Sequence, residues 1–226
     1  MNFYFEMMIN ALDVTLILSF LIQYFGYKLP ASINYLGTSA IWCISFAILG
    51  FFSWTHSYEN YASLLQILIN IIFCCIFLQG SILQKIFVSA FTMGIIAIIS
   101  TFTTLLIAKL SGNQVTFLLN QFSKMRFISI LLTKLLFFII TRIILRIKEN
   151  GTIKLIDFIP LVIIPTVSII TITLMMYAAI QEPHIQNIIF FAVCTVLSLN
   201  VLIYFLFIRL AKTNKMQTEI ALLGLQ

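Results

Sequence analysis

The amino-acid sequence predicts an all-α fold, a polytopic transmembrane helical bundle of about seven spans, with its amino terminus outside and its carboxyl terminus inside. Three observations predict it. Of 226 residues, 62% are hydrophobic and 9% are charged, where a soluble domain carries about 45–50% and about 25%. The apolar residues gather in seven runs, each near the roughly 20 positions that a membrane-crossing helix needs. The basic residues flank these runs unevenly, as they do when one side of the membrane retains them during insertion.

In order along the chain, the runs are Met7–Tyr27, Ser32–Trp54, Tyr61–Gln79, Ile86–Leu110, Phe127–Ile147, Leu155–Ile180 and Ile185–Leu210. The first leaves through Lys28-Leu29-Pro30, and later connections are His56–Asn60, Gly80–Lys85, Ser111–Arg126, Lys148–Lys154 and Gln181–His184. These are too short and scattered to hold a soluble catalytic domain. No fixed-period repeat appears, so neither a solenoid nor duplicated transporter halves gains support. The first run lacks a basic leading segment and a small-residue cleavage site, and is read as a span and not as a cleaved signal peptide.

With the amino terminus outside, the inner flanks hold nine basic residues: Lys28, Lys85, Arg142, Arg146, Lys148, Lys154, Arg209, Lys212 and Lys215. The outer side holds Lys109, Lys124 and Arg126, while Lys134 falls inside a span. The acids Glu6, Asp13, Glu59 and Glu182 lie in the outer half. Losing one crossing would swap the downstream loops and spoil this asymmetry, so the span count is odd. The net charge of +6 therefore points to membrane lipid. A nucleic-acid partner is not expected, because that would require a basic solvent-facing patch.

Asp13 and Lys134 are the informative charges. They lie six and seven residues inside their spans, which at about 1.5 Å per residue places both roughly 10 Å into the outer leaflet. A charge there faces the bundle interior and takes a partner, or reaches back to the headgroups on a flexible stem. Two readings follow: the residues pair or border a polar ligand pocket, or each snorkels separately. Arg142 and Arg146, one turn apart, reach the anionic inner leaflet. Pro160 and Pro165 each remove a helical donor, which makes them hinge candidates. Asn10, Asn70 and Asn200 are placed to bond between helices. In Asn113–Arg126, the helical spacing of Val115, Leu118, Leu119, Phe122 and Met125 suits either a helix lying in the outer interface or a plain connector.

The remaining reactive residues argue against chemistry. Cys43, Cys74, Cys75 and Cys194 fall inside apolar runs without metal-ligand spacing and read as buried thiols. His56 and His184 read as solvated loop residues. Asn150-Gly151-Thr152 matches the glycosylation pattern but lies on the inner side, where it reads as a glycine turn. There is no phosphate-binding loop, no His-Glu-x-x-His helix, and no paired-carboxylate or Ser/His/Asp set. No catalytic residue, metal or cofactor is expected, and the chain does not read as an enzyme.

Residues 1–210 thus form a transmembrane domain, and 211–226 begin a cytoplasmic helix that leaves the bilayer at Arg209. Met216, Ile220 and Leu223, four and three apart, follow a coiled-coil seam. Three stretches, Phe77-Leu-Gln-Gly-Ser-Ile-Leu-Gln-Lys-Ile-Phe87, Leu132-Thr-Lys-Leu-Leu-Phe137 and Tyr204-Phe-Leu-Phe-Ile-Arg-Leu210, carry a resemblance. With the layout of the whole chain, they resemble the amino-terminal membrane sensor region of GHKL-type sensor histidine kinases, including the quorum-sensing peptide-receptor kinases of Gram-positive bacteria. The resemblance implies a multi-pass sensor in a bacterial cell membrane, within a two-component system. It implies an extracellular peptide or small ligand, a homodimer, and a downstream kinase core with its response regulator. Signal output would run through Arg209, Met216, Ile220 and Leu223. Neither histidine matches the family's phosphoacceptor motif and no ATP-site residue can be carried over, so the segment is expected to have no kinase activity of its own. Two other classes stay open. One is a small-molecule transporter or the substrate-binding membrane subunit of an uptake system. The other is a membrane-embedded processing enzyme, disfavoured by the lack of a nucleophile or metal set.

Overall fold

A computed structural model describes residues 3–55, 59–112, 115, 124–147 and 155–223. Among them seven α-helices follow in order: α1 Phe3–Phe25, α2 Ala31–Thr55, α3 Glu59–Phe77, α4 Ile82–Ser111, α5 Lys124–Ile147, α6 Leu155–Gln181 and α7 Gln186–Leu223. A 3-10 turn, Pro183–Ile185, precedes α7. The fold is an all-α helical bundle; among the described residues the one β feature is an antiparallel bridge between Tyr27 and Leu78. Among the described residues five segments are long and apolar enough to cross a membrane: Tyr4–Phe25, Ala31–Ser53, Ile82–Ser111, Lys124–Arg146 and Gln186–Ile203. The apolar part of α3, Ala62–Phe77, is shorter; at about 1.5 Å per residue it covers about 24 Å of a roughly 30 Å hydrocarbon layer. In α6 the described apolar stretch is Ile170–Gln181.

The polarity of these helices is inverted relative to a water-soluble bundle. On α3, Gln66, Asn70 and Cys74 are buried while Leu64, Leu65, Leu68, Ile72 and Ile76 are exposed. On α5, Ser129, Thr133 and Thr141 are buried while Ile128, Leu131, Leu135 and Ile139 are exposed. Steps of four place each polar set on one helix face. Leaving a large aliphatic side chain in water forgoes about 1.5–3 kcal/mol of burial, so rows of them outward are stable only against lipid. Small and polar residues inward are what helices use to associate there. This is a membrane protein by the distribution of its side chains as well as by helix length.

The chain divides into two compact units, Met1–Met93 and Gly94–Gln226, with the boundary inside α4. The first contains α1, α2, α3 and the start of α4, around Val14, Leu21, Phe73 and Phe87. In it α1 stops at Gly26, whose φ of +73° suits a residue without a Cβ, and the Gly26 amide donates to the Ile22 carbonyl at 2.8 Å. Where α1 and α3 end, their exits bond to each other. The Lys28 amide donates to the Phe77 carbonyl at 2.9 Å and the Gln79 amide to the Gly26 carbonyl at 3.0 Å. The Gln79 side chain adds a bond to the Tyr27 carbonyl at 2.7 Å. Backbone groups beyond a helix end need partners, and this clip supplies them where α1 and α3 end. Gly37 on α2 allows the close approach of α3, because a Cβ there would overlap the Phe77 ring.

The second unit contains the rest of α4 with α5, α6 and α7. Its core gathers Ile98, Leu105, Val115, Ile172, Ala179 and Val193.

Several expectations are corrected by these helices. α4 starts at Ile82, so Lys85 belongs to its first turn and is buried at 5% exposure instead of ending a solvated loop. Of the four thiols Cys74 is buried, but Cys43 is exposed, because it sits on an outward face of α2. Lys124, Met125 and Arg126 form the first turn of α5 and not the end of an interfacial helix. Val115 is fully buried in the second core, and the other residues of 113–123 lie outside the described residues. So do His56 and Asn150-Gly151-Thr152.

Candidate functional site

The buried face of α3 carries the most unusual chemistry in the first unit. Gln66 sits one turn from Asn70 and two from Cys74, an i, i+4, i+8 ladder on one face. The Gln66 amide nitrogen donates to Ser45 Oγ on α2 at 3.2 Å and to Asn70 Oδ1 at 3.0 Å. Both of its hydrogens are thereby used. Gln66 Oε1 and Asn70 Nδ2 remain, both buried and both without a hydrogen-bond partner. One turn further, Cys74 Sγ lies 3.7 Å from Ser89 Oγ on α4. Toward the opposite end of the unit, Asn10 Nδ2 donates to Ser53 Oγ at 2.9 Å, joining α1 to α2. The Trp42 indole joins the same helices by donating to Thr15 Oγ1 at 3.0 Å.

In the second unit the polar contacts tie helices pairwise. The hydroxyls of Thr103 and Thr133 meet at 2.6 Å, and those of Thr104 and Ser129 at 3.5 Å, joining α4 to α5. Asn200 Nδ2 donates to Ser168 Oγ at 2.8 Å, joining α7 to α6. The Lys109 ammonium stands 5.2 Å from the Phe190 ring centroid and 5.6 Å from that of Phe191, and Phe102 stacks on Phe190 at 5.5 Å. The start of α7 is thus fixed to the end of α4 by a cation–π contact and a ring stack.

The residues singled out from the sequence fall as follows. Asp13 is half-buried on α1 in the first unit, and Lys134 is half-buried on α5 in the second. Each has at least one hydrogen-bonding or electrostatic interaction; their pairing remains a proposal. Pro160 and Pro165 lie within α6, which continues as one helix through both. Arg209 is exposed in the middle of α7, Met216 and Ile220 are exposed beyond it, and Leu223 closes the helix. Asn10 and Asn200 do bond between helices, whereas Asn70 bonds along its own. His184 is exposed beside Glu182, with Nδ1 3.3 Å from the carboxylate. Among the described residues no three of His, Cys, Asp or Glu gather as a metal ion would require.

Gln66, Ser45 and the hydroxyl pairs were not anticipated. The signal for Gln66 is its four-residue spacing to Asn70 and Cys74 within an otherwise aliphatic run. Ser45 and the threonines carry none, because such residues satisfy themselves on any helix. Comparison with protein families, with characterised proteins and with solved structures finds no match to this chain.

Proposed function

We propose that this chain is the membrane-embedded sensing module of a two-component sensor histidine kinase, seven-spanning with its amino terminus outside, in a bacterial cell membrane. An extracellular ligand, a peptide or small molecule, binds among the outer span halves. Its different affinity for two arrangements of the bundle shifts their populations. α7 carries that shift to a kinase core and, through it, to a response regulator.

The observation that carries this reading is the continuity of α7. It holds 38 residues without a break, about 57 Å at about 1.5 Å per residue, where a bilayer with its headgroups is about 40–45 Å thick. A helix of that length leaves the membrane still helical, and a rotation at one end arrives at the other. Along it Leu199, Leu202, Leu206, Arg209, Thr213, Met216 and Ile220 are exposed, alternating three and four apart. Leu223, the last residue of the helix, follows at the next spacing of three, and this alternation is that of a homodimer seam.

A second reading, the substrate-binding membrane subunit of an uptake system or a small-molecule transporter, draws support from the buried polar face of α3. It places a solute in the first unit and gives α7 no output.

A fusion of Met1–Gln226 to a heterologous kinase core separates the two. Sensing requires a change in kinase output when native culture supernatant is added. It further requires that one residue inserted after Arg209 abolish or invert the response, while a seven-residue insertion, about two turns, preserves it. Output that ignores both the supernatant and the inserted residue refutes the rod mechanism, as does labelling of residues beyond Lys212 from outside the cell.

A further inference from the structure

The α3 ladder leaves hydrogen-bonding capacity of two opposite kinds side by side. Gln66 Oε1 is an acceptor and Asn70 Nδ2 a donor; both are buried, both lack partners, and one hydrogen bond of 3.0 Å joins the two side chains that bear them. Gln66 is 1% exposed and Asn70 0%. The other unpartnered buried atoms, Asn34 Oδ1 and Asn200 Oδ1, are carbonyl oxygens alone. An under-satisfied oxygen with two lone pairs is tolerated more often than an orphaned buried N–H. Among the described residues, only at Gln66 and Asn70 do a donor and an acceptor remain together.

The surroundings make this arrangement hard to explain as glue. The next residues on the same side, Phe73 and Ile69, are buried apolar groups, and the outward face of α3 is aliphatic. The pair is held in register from behind by Ser45, which takes the second Gln66 hydrogen at 3.2 Å. Both amide groups are therefore oriented, and their free edges are fixed in place. Preorganised polar atoms in an apolar site are how binding pockets select orientation, and a site built to pair both a donor and an acceptor rejects groups that lack either. No charged group belongs to the set, so the complement is neutral.

We infer that Gln66 and Asn70 form a recognition site for a neutral carboxamide, whose N–H donates to Gln66 Oε1 and whose carbonyl accepts from Asn70 Nδ2. The inference deepens the sensing reading by naming the chemistry of its ligand, and rests on it only for the ligand's extracellular origin. In the proposed orientation Gln66 is seven residues from Glu59 at the outer end of α3, about 10 Å deep, within reach of a ligand entering from outside. Peptides and non-peptide amides share this chemistry.

The test uses the full chain in lipid nanodiscs and follows its thermal unfolding. N-acetylglycinamide represents a peptide source, nicotinamide an aromatic one, and N,N-dimethylacetamide has the carbonyl but no N–H. The wild-type midpoint rises with one or both primary amides by about a degree or more, as ligand linkage requires, and does not rise with dimethylacetamide; the larger shift identifies the source. In the Gln66→Met/Asn70→Leu double variant the amide shift is lost. Its midpoint without any amide lies above that of the wild type, by about 2–4 °C, because unfilled polar groups have been replaced by apolar ones of similar size. If the double variant does not accumulate in membranes, Asn70→Leu alone removes the donor and loses the amide shift; because it also strands the Gln66 hydrogen that Asn70 Oδ1 accepts, the expected gain in stability belongs to the double variant. Absence of any amide shift in the wild type, its persistence in either variant, or a double variant less stable than the wild type overturns the proposal; the last is the result if the pair is structural glue or is closed by a single buried water. None of these readouts uses kinase output, so they fail independently of the fusion experiment.

Discussion

On the buried face of α5, in the second unit, the Thr133 hydroxyl donates to the Ser129 carbonyl at 2.9 Å and Thr141 to the Phe138 carbonyl at 2.8 Å. On the buried face of α3, in the first unit, two amide side chains bond to one another and to Ser45 and still hold an open acceptor and an open donor. Both faces lie inward and both are polar, yet they differ in what they demand of their surroundings. A hydroxyl can return its proton to a carbonyl three or four residues back, so the helix satisfies it before any neighbour arrives. A carboxamide has two donors and an acceptor with two lone pairs, more than its own helix can fill. Hydroxyl faces suit packing; amide faces reach for partners.

The largest expected effect tests whether the first unit is packed as tightly as its clip requires. Gly37→Ala places a Cβ against the Phe77 ring, and overpacking of this kind costs about 1–3 kcal/mol. Thermal or denaturant unfolding of the full chain measures it, and Phe77→Leu added to Gly37→Ala recovers part of the loss. Unchanged stability in Gly37→Ala would mean that α2 and α3 have room to part, and the picture of Gln66 and Asn70 held rigidly from behind by Ser45 would go with it.

A smaller effect opposes one amide to another. Asn200→Leu in the second unit removes the bond to Ser168 Oγ at 2.8 Å; interhelical polar contacts in membranes contribute about 1–2 kcal/mol in model peptides. The variant is therefore less stable by that order, whereas Gln66→Met/Asn70→Leu in the first unit is expected to be more stable. The signs differ because both Asn200 side-chain donors are used, one by Ser168 and one by the Val196 carbonyl at 2.9 Å, while Gln66 Oε1 and Asn70 Nδ2 have no partner. Loss of stability in both variants would erase the distinction between the two units.

How much of this was legible in the sequence follows from the same contrast. Helix positions were readable because hydrophobic run length is a one-dimensional property; each of the seven helices overlies one apolar run. Ends were less so. The helix beyond Arg209 was expected and runs to Leu223, because a helix need not stop where its side chains become polar. α1 stops two residues before Tyr27 because Gly26 adopts a positive φ. The clip between residues 26–28 and 77–79 was not readable at all, since it joins two turns about 50 positions apart. Nor was the burial of Lys85, which depends on where α4 begins. Charges drew attention to Asp13 and Lys134 because a charge in a span is conspicuous. Gln66 did not, although Gln66, Asn70 and Cys74 share a face, because an uncharged amide stands out only when its neighbours on other helices are known.

The smallest expected effect falls on the hydroxyl face. Thr133→Val keeps the shape of the side chain and removes one oxygen, which bonds the Ser129 carbonyl at 2.9 Å and the Thr103 hydroxyl at 2.6 Å. The first of those bonds exists in the isolated helix as well and contributes little to assembly. The second loses its partner, but the Thr103 proton is free to turn to the Ser100 carbonyl at 3.0 Å, so no buried hydroxyl is stranded. The loss should therefore sit near the average of about 0.6 kcal/mol found for such contacts in membranes, measured by unfolding of the full chain. A double-mutant cycle with Thr103→Val isolates the direct contact, and its coupling energy should fall at or below that value. A coupling as large as the cost of Gly37→Ala would mean that hydroxyl contacts organise the second unit as strongly as steric fit organises the first. The division between a self-satisfied packing face and a partner-seeking one would then have to be drawn elsewhere than between α5 and α3.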